Sequence, residues 1–105
     1  MKIVVILLFF IHGGIHLIGF IKAFHLAEIK ELSRPVSKSN GIMWLLTAAT
    51  LVAAGVFLLL DQGSWWKIGL TGLLLSQIMI LNTWQDARYG TLINLLLALG
   101  TWLLV

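Results

Sequence analysis

A chain of 105 residues that is 60% hydrophobic and only 10% charged, with a mean hydropathy of +1.03, has too much apolar surface for an ordinary soluble domain to hide. It contains no cysteine, which excludes disulfides, thiolate metal sites and thiol–disulfide redox chemistry. The net charge of +3 is not a nucleic-acid footprint, because the basic residues are few and sit at the ends of apolar segments, where they set orientation.

Four long apolar stretches dominate the chain: Ile3–Ile21, Gly41–Leu60, Ile68–Leu81 and Thr91–Val105. A bilayer core about 30 Å thick takes roughly 20 helical residues to cross. The spacing therefore predicts an all-α fold, an integral membrane four-helix bundle with antiparallel up-down topology. One domain is expected over 1–105, with helices over about 3–24, 41–60, 65–84 and 88–105.

The first stretch begins like a signal peptide, with Lys2 ahead of Ile3–Ile11. The apolar run continues to Phe24 without a small-x-small cleavage site, which predicts a retained helix. His12 and His16 stand one turn apart on it, roughly 40° apart on one face. Phe9, Gly19 and Ala23 share that face, which is expected to turn inward.

The first link, Lys22–Asn40, mixes charges with Phe24, Leu26, Ile29 and Leu32 and predicts a helical extension or interfacial helix stopped by Pro35. Ser37, Ser39 or Asn40 can cap the second helix. That helix carries Ala48, Ala49, Ala53, Ala54 and Gly55, with Ala49 and Ala53 at the small-xxx-small spacing of close helix contacts. Asp61-Gln62-Gly63-Ser64 reads as a tight turn. The third helix opens with Trp65 and Trp66, continues through Gly69 and Gly72, and places Gln77 near mid-membrane, with Asn82 and Asp86 stepping towards its end. Asp86–Gly90 reads as a second turn, and the fourth helix carries Asn94. Counted from Ala87, the last helix reaches about 28 Å, just enough to span. Links this short make neighbouring helices antiparallel.

Orientation follows from lysine and arginine. Lys22, Lys30, Arg34, Lys38 and Arg88 share one side, while Lys2 and Lys67 share the other. The bias puts the first and third links in the cytoplasm and both termini outside. Trp65, Trp66 and Trp102 then lie at the outer interface, and Trp44, Trp84 and Tyr89 at the inner one, as aromatic belts do.

The chemically unusual residues are the polar ones inside these stretches. His16, Asn82, Asp86 and Asn94 fall at matching depths, and with His12 and Gln77 they form a candidate polar cluster between the first, third and fourth helices. Three uses of the histidine pair are open. Neutral imidazoles can act as interhelical glue. The cluster can hold a small ligand, a lipid headgroup or a proton. His12 and His16 can also ligate a metal or haem. A closed metal site needs further ligands, however, and only Asp86 or the distant His25 is available. Two histidines on one helix face cannot clamp a haem from both sides. Asp86 and Arg88 read most simply as a helix-end charge and an anchor. No catalytic residue is assigned.

The strings Ile11-His12-Gly13-Gly14-Ile15-His16-Leu17-Ile18-Gly19-Phe20-Ile21-Lys22-Ala23-Phe24, Arg34-Pro35-Val36-Ser37, Ser76-Gln77 and Trp84-Gln85-Asp86-Ala87-Arg88-Tyr89-Gly90-Thr91, with Asn94, resemble a group of uncharacterised bacterial membrane proteins. The resemblance covers nearly the whole chain and implies an inner-membrane location, but carries no activity. A looser similarity is to DoxX-like four-helix proteins, some associated with quinone-linked redox complexes; it rests on architecture alone. Small multidrug transporters share length and helix count but need a membrane-embedded glutamate in the first helix, whereas Glu28 and Glu31 lie in the first link. The expectation is a non-catalytic interaction or small-ligand or lipid-binding protein in the bilayer, as a homo-oligomer or a subunit of a larger membrane complex. The alternative is a redox or transport component that uses the His12/His16 face to bind a haem, quinone, metal or substrate.

Overall fold

The single proline, Pro35, lies in the first link, so nothing inside the four apolar runs interrupts a helix. The computed structural model describes residues 1–105 and is all-helical, without a strand. The elements are α1 (Lys2–Ala23), α2 (Lys38–Leu59), α3 (Trp65–Asn82), the single turn α4 (Trp84–Ala87) and α5 (Gly90–Leu104). The 22-residue helices α1 and α2 are each long and apolar enough to cross a membrane; α5, with 15 residues, is apolar but shorter.

Helix ends explain where the boundaries fall. Ser37 caps α2 by accepting the Asn40 N–H at 3.1 Å, so the helix starts at Lys38, ahead of the apolar run itself. Helices α1 and α2 both stop on a left-handed residue, His25 (φ 54°) and Asp61 (φ 55°). In each case the next N–H closes back onto a carbonyl of the last turn, Leu26 onto Ile21 at 3.0 Å and Gln62 onto Phe57 at 2.9 Å. An exposed ion pair between Lys2 and Asp61 ties the start of α1 to the α2–α3 turn.

Three local expectations are corrected. The first link forms no helix: residues 24–37 run as turns and extended chain. Leu32 alone is driven inward, to 7% exposure, and its carbonyl accepts from the Lys22 ammonium, which pins the segment as a strap instead of laying an apolar face along a surface. The expected turn at Asp86–Gly90 is also different. Helix α3 ends at Asn82, and Thr83 starts the one-turn α4 by accepting the N–H groups of Asp86 and Ala87 at 3.0 and 2.9 Å. On α2, Ala49 is exposed, and the buried stripe runs through Gly41, Trp44, Ala48, Leu51, Ala54, Gly55 and Leu58.

The core is shared by the four long helices. Val5, Ile6 and Phe9 of α1 meet Leu51, Ala54 and Leu58 of α2, Trp65 and Leu73 of α3, and Leu97 of α5. Phe9 meets Trp65 edge-on, with ring centroids 6.5 Å apart. Helix α1 packs along α2 for most of its length and touches α5 more sparingly. The closest approach is at Gly19, which lies against the pyrrole side of the Trp44 indole and leaves no room for a Cβ.

Polar side chains are buried beside the apolar core, and many large apolar ones are exposed. His12, His16, Thr47, Ser76, Asn94 and Thr101 are buried, while Leu7, Ile11, Ile15, Leu74, Ile78, Leu81, Leu92, Leu95, Leu96 and Leu99 are exposed.

Two glycines on α1 allow a direct test of this packing. Gly19→Ala forces a methyl into the Trp44 ring and is expected to destabilise by about 1–3 kcal/mol. Gly14 faces open space, so Gly14→Ala should gain up to about 1 kcal/mol from helix propensity. Thermal unfolding of the two variants in detergent should therefore move in opposite directions.

Candidate functional site

The face of α1 that bears Phe9, His12, His16, Gly19 and Ala23 is wholly buried. Spacing of three and four residues keeps these side chains on one side of a helix, so the two imidazoles enter the same interhelical space. Their rings stand edge to face with centroids 4.5 Å apart, and the His16 ring lies 5.2 Å from that of Trp44.

Opposite them, α3 presents Ser76 and Gln77, and α5 presents Thr91 and Asn94. His16 Nδ1 lies 2.9 Å from the His12 carbonyl, which can only accept, so this nitrogen carries a proton. In a neutral ring Nε2 is then an acceptor, and it receives the Ser76 hydroxyl proton at 2.8 Å. Ser76 has no second proton, so the contact between its Oγ and His12 Nε2, at 3.2 Å, requires His12 Nε2–H as the donor. The same N–H reaches Asn94 Oδ1 at 2.7 Å. Asn94 Nδ2 in turn donates to Gln77 Oε1 at 3.0 Å, and Gln77 Nε2 donates to Thr91 Oγ1 at 3.1 Å. One directed chain thus joins α1, α3 and α5. With the proton on Nε2, His12 Nδ1 is an acceptor, and it is buried without a partner, as are Trp44 Nε1 and Thr101 Oγ1.

Of the residues expected to cluster, His12, His16, Gln77 and Asn94 are joined in this chain. Asn82 is not: it is exposed at the end of α3 and lines a separate cavity of about 270 Å³ with Arg34, Asn40 and Gln85. Asp86 does not bond to either histidine. It turns to the strap, where both carboxylate oxygens accept the Ser33 hydroxyl and one accepts the Ser33 N–H, all at 2.9 Å. Arg34 donates to Gln85 beside it at 3.2 Å. The Ser33 N–H and hydroxyl hold the Asp86 carboxyl below its ordinary value of 3.8, helped by the charges of Lys22 and Arg34.

Ser76 is the residue that sequence reasoning passed over, although it binds both imidazoles. Its signal lay in position: it precedes Gln77 and falls on the buried face of α3 with Gly69, Gly72, Leu73, Met79 and Ile80. Trp44, read as an interface anchor, is instead a buried wall of the site. No three His, Asp or Glu side chains come together as a metal site. The imidazole Nε2 atoms are used for hydrogen bonds to a serine and an amide, an arrangement that ties helices together.

A second cavity, of about 220 Å³, opens beside this chain. Its lining includes His12, Ile15 and His16 of α1, Glu31 and Leu32 of the strap, Trp44 and Ile80, Asp86 of α4, and Gly90 and Ile93 of α5, so Asp86 shares this cavity with the histidines without bonding to them. Comparisons with family models, curated proteins and solved structures found no match to this chain.

Two outcomes are expected. Ser76→Ala removes the only hydrogen-bonded bridge between the imidazoles and should cost about 0.6–2 kcal/mol in a detergent melt, more than the same loss of a surface hydroxyl. The strap contact should depend on pH with a definite sign. Because the folded pKa of Asp86 is depressed, the stabilisation is present above 3.8 and disappears as pH falls through the lower folded value. The Ser33 amide should accordingly be protected from exchange, relative to its intrinsic rate, at neutral pH and lose that protection in the acid window. In Asp86→Asn the protection should be weaker throughout.

Proposed function

We propose that this chain is a four-helix inner-membrane protein, an antiparallel up-down bundle with both termini outside, whose buried polar chain serves a non-catalytic role in binding a small ligand or lipid. The observation that carries this reading is an apolar exterior around an interior that also holds polar groups: leucine and isoleucine exposed on every long helix, with imidazole, hydroxyl and amide groups buried beside the apolar core. In lipid an apolar exterior costs nothing, and interior polar groups must find one another. Contacts of Phe10 with Gly55 and of Gly13 with Ala48 between α1 and α2, of Gly69 with Ala54 and of Gly72 with Leu51 between α3 and α2, and of Gln77 on α3 with Thr91 on α5 fit successive helices that reverse direction. The short α5 reaches across with the help of the α4 corner. A chain this small encloses little, which favours a homo-oligomer or a subunit of a membrane complex.

The experiment begins with membranes washed at high pH, which strip peripheral proteins. The chain should stay in the pellet, and a neutral carboxy-terminal reporter should be active outside the cytoplasm. Release into the supernatant would remove the membrane reading, and a cytoplasm-only reporter would invert the topology. The histidines are tested separately. His16→Ala should cost about 0.6–2 kcal/mol, and His16→Gln, which keeps one hydrogen bond, should recover much of it. Loss of redox or transport activity in a fully stable Gln variant would favour the redox or transport alternative, because glutamine reproduces neither metal ligation nor proton relay.

A further inference from the structure

The cavity of about 270 Å³ lies between the strap, the start of α2 and the corner where α3 gives way to α4. Its lining is of two kinds. Leu81 and Trp84, 60% and 47% exposed, belong to the apolar exterior of this end of the molecule. Arg34, Asn40 and Asn82 are polar and also exposed, and the half-buried Asp86 joins them. Ligand pockets commonly measure about 300–1,000 Å³, so a space of this size takes a headgroup and not a whole amphiphile.

Two opposite charges line this cavity without pairing. Ser33 donates to Asp86 and Arg34 donates to Gln85, so two consecutive strap residues meet two consecutive residues of α4. The guanidinium and the carboxylate are thereby brought near each other, yet the one ion pair of the molecule is Lys2–Asp61, at the far end of the helices. Each group is held by a neutral partner instead, and each keeps spare capacity. A guanidinium has five N–H donors, and Arg34 uses one on Gln85. A carboxylate offers about four lone-pair positions, and Asp86 receives two protons, from the Ser33 N–H and hydroxyl. Those same bonds keep Asp86 ionised at neutral pH.

We propose that this cavity binds a zwitterionic phospholipid headgroup, with the phosphate on Arg34 and a primary ammonium on Asp86, as phosphatidylethanolamine would supply. The site is separate from the buried polar chain, and it rests on the membrane reading above, which puts the strap at the bilayer surface. An arginine fork matches phosphate oxygens, and a carboxylate accepts ammonium N–H groups in charge-assisted bonds. The Asn40 and Asn82 amides are neutral donors for the remaining phosphate oxygens. Acyl chains leave over Leu81 and Trp84, an indole at the depth where such rings meet headgroups. Other headgroups fit less well. The quaternary ammonium of phosphatidylcholine has no N–H for Asp86, and phosphatidylglycerol offers it only neutral hydroxyls. A second negative charge would face the carboxylate.

The test uses the full chain in phosphatidylcholine bicelles, labelled with ¹⁵N in arginine and ¹³C in the aspartate carboxyl. Arg88 and Asp61 are the only other residues of these two types and serve as internal controls. Adding phosphatidylethanolamine should shift the Arg34 and Asp86 signals together and saturably, and leave both controls in place. Its N-methyl and N,N-dimethyl derivatives keep the charge and lose N–H donors, so their responses should fall stepwise. Phosphatidylglycerol should respond more weakly, and free phosphoethanolamine at the same concentration should give little shift. Arg34→Gln should weaken the Asp86 response about tenfold, as the loss of a charged hydrogen bond does. Lys38→Gln removes a nearby cation that does not line the cavity and should leave the response unchanged. The proposal is overturned by no saturable shift, a shift at Arg34 alone, or indifference to N-methylation. Equal responses to phosphatidylglycerol or to free phosphoethanolamine overturn it too, as does equal weakening by Lys38→Gln. Failure of the membrane reading would appear instead in the washed pellet, independently of these shifts.

Discussion

The Ser76 hydroxyl has one proton and two imidazole neighbours, and the rest of the polar interior follows from that shortage. Giving the proton to His16 makes His12 a donor at Nε2; this orients Asn94, Asn94 orients Gln77, and Gln77 reaches Thr91. Each assignment is forced by the one before it, because amides, hydroxyls and neutral imidazoles have fixed numbers of donors and acceptors. Three helices are thereby held in one register by groups that cannot turn over individually. The chain is cooperative in the sense that matters for specificity. Reversing any member strands its neighbour in a buried site. It also ends on an unpaired acceptor, His12 Nδ1, for the same reason that it begins on Ser76: the protons run out.

Packing and polarity divide the molecule between its two ends. Towards the start of α1 the contacts are apolar and tight, with Val5, Ile6 and Phe9 against Leu58, Trp65 and Leu97. Towards its end come the histidines, Trp44, the strap and the α4 corner. On the proposed topology the tight end lies at the outer side and the polar end at the cytoplasmic side, where Lys22, Lys30, Arg34, Lys38 and Arg88 also gather. The Leu32 side chain closes that end from below. Its position depends on two contacts that are purely polar, the Lys22 ammonium on the Leu32 carbonyl and the Asp86 carboxylate on Ser33.

Much of this was legible in the sequence, and the reasons are specific. Apolar runs without proline announced the helices, and the spacing of Phe9, His12, His16, Gly19 and Ala23 announced the inward face of α1, because a helical period is a local property. The partners of the histidines were only half legible. Gln77 and Asn94 were visible as polar residues in apolar surroundings, but Ser76 is small and common in helices, and nothing local marks which hydroxyl will meet an imidazole 60 residues away. Asn82 and Asp86 were misplaced because depth alone was used. Both fall at the right height, yet α3 stops at Asn82 and the chain turns outward into α4, which carries Asp86 to the strap. The strap itself was misread because Phe24, Leu26, Ile29 and Leu32 mimic an amphipathic period, while only Leu32 is fully buried.

The corner at Thr83 links the strap to the cavity. If α3 continued straight, Asp86 would lie beyond the packed helices and Ser33 would have no acceptor. Because the chain breaks there, α5 starts late, at Gly90, and leaves the last turns of α1 uncovered on that side. The same break therefore supplies the carboxylate that docks the strap and creates the gap that the strap only partly fills. Leu32, Trp44 and Asp86 line both cavities at this end, so they form the partition between a polar pocket under Arg34 and an apolar one against His12.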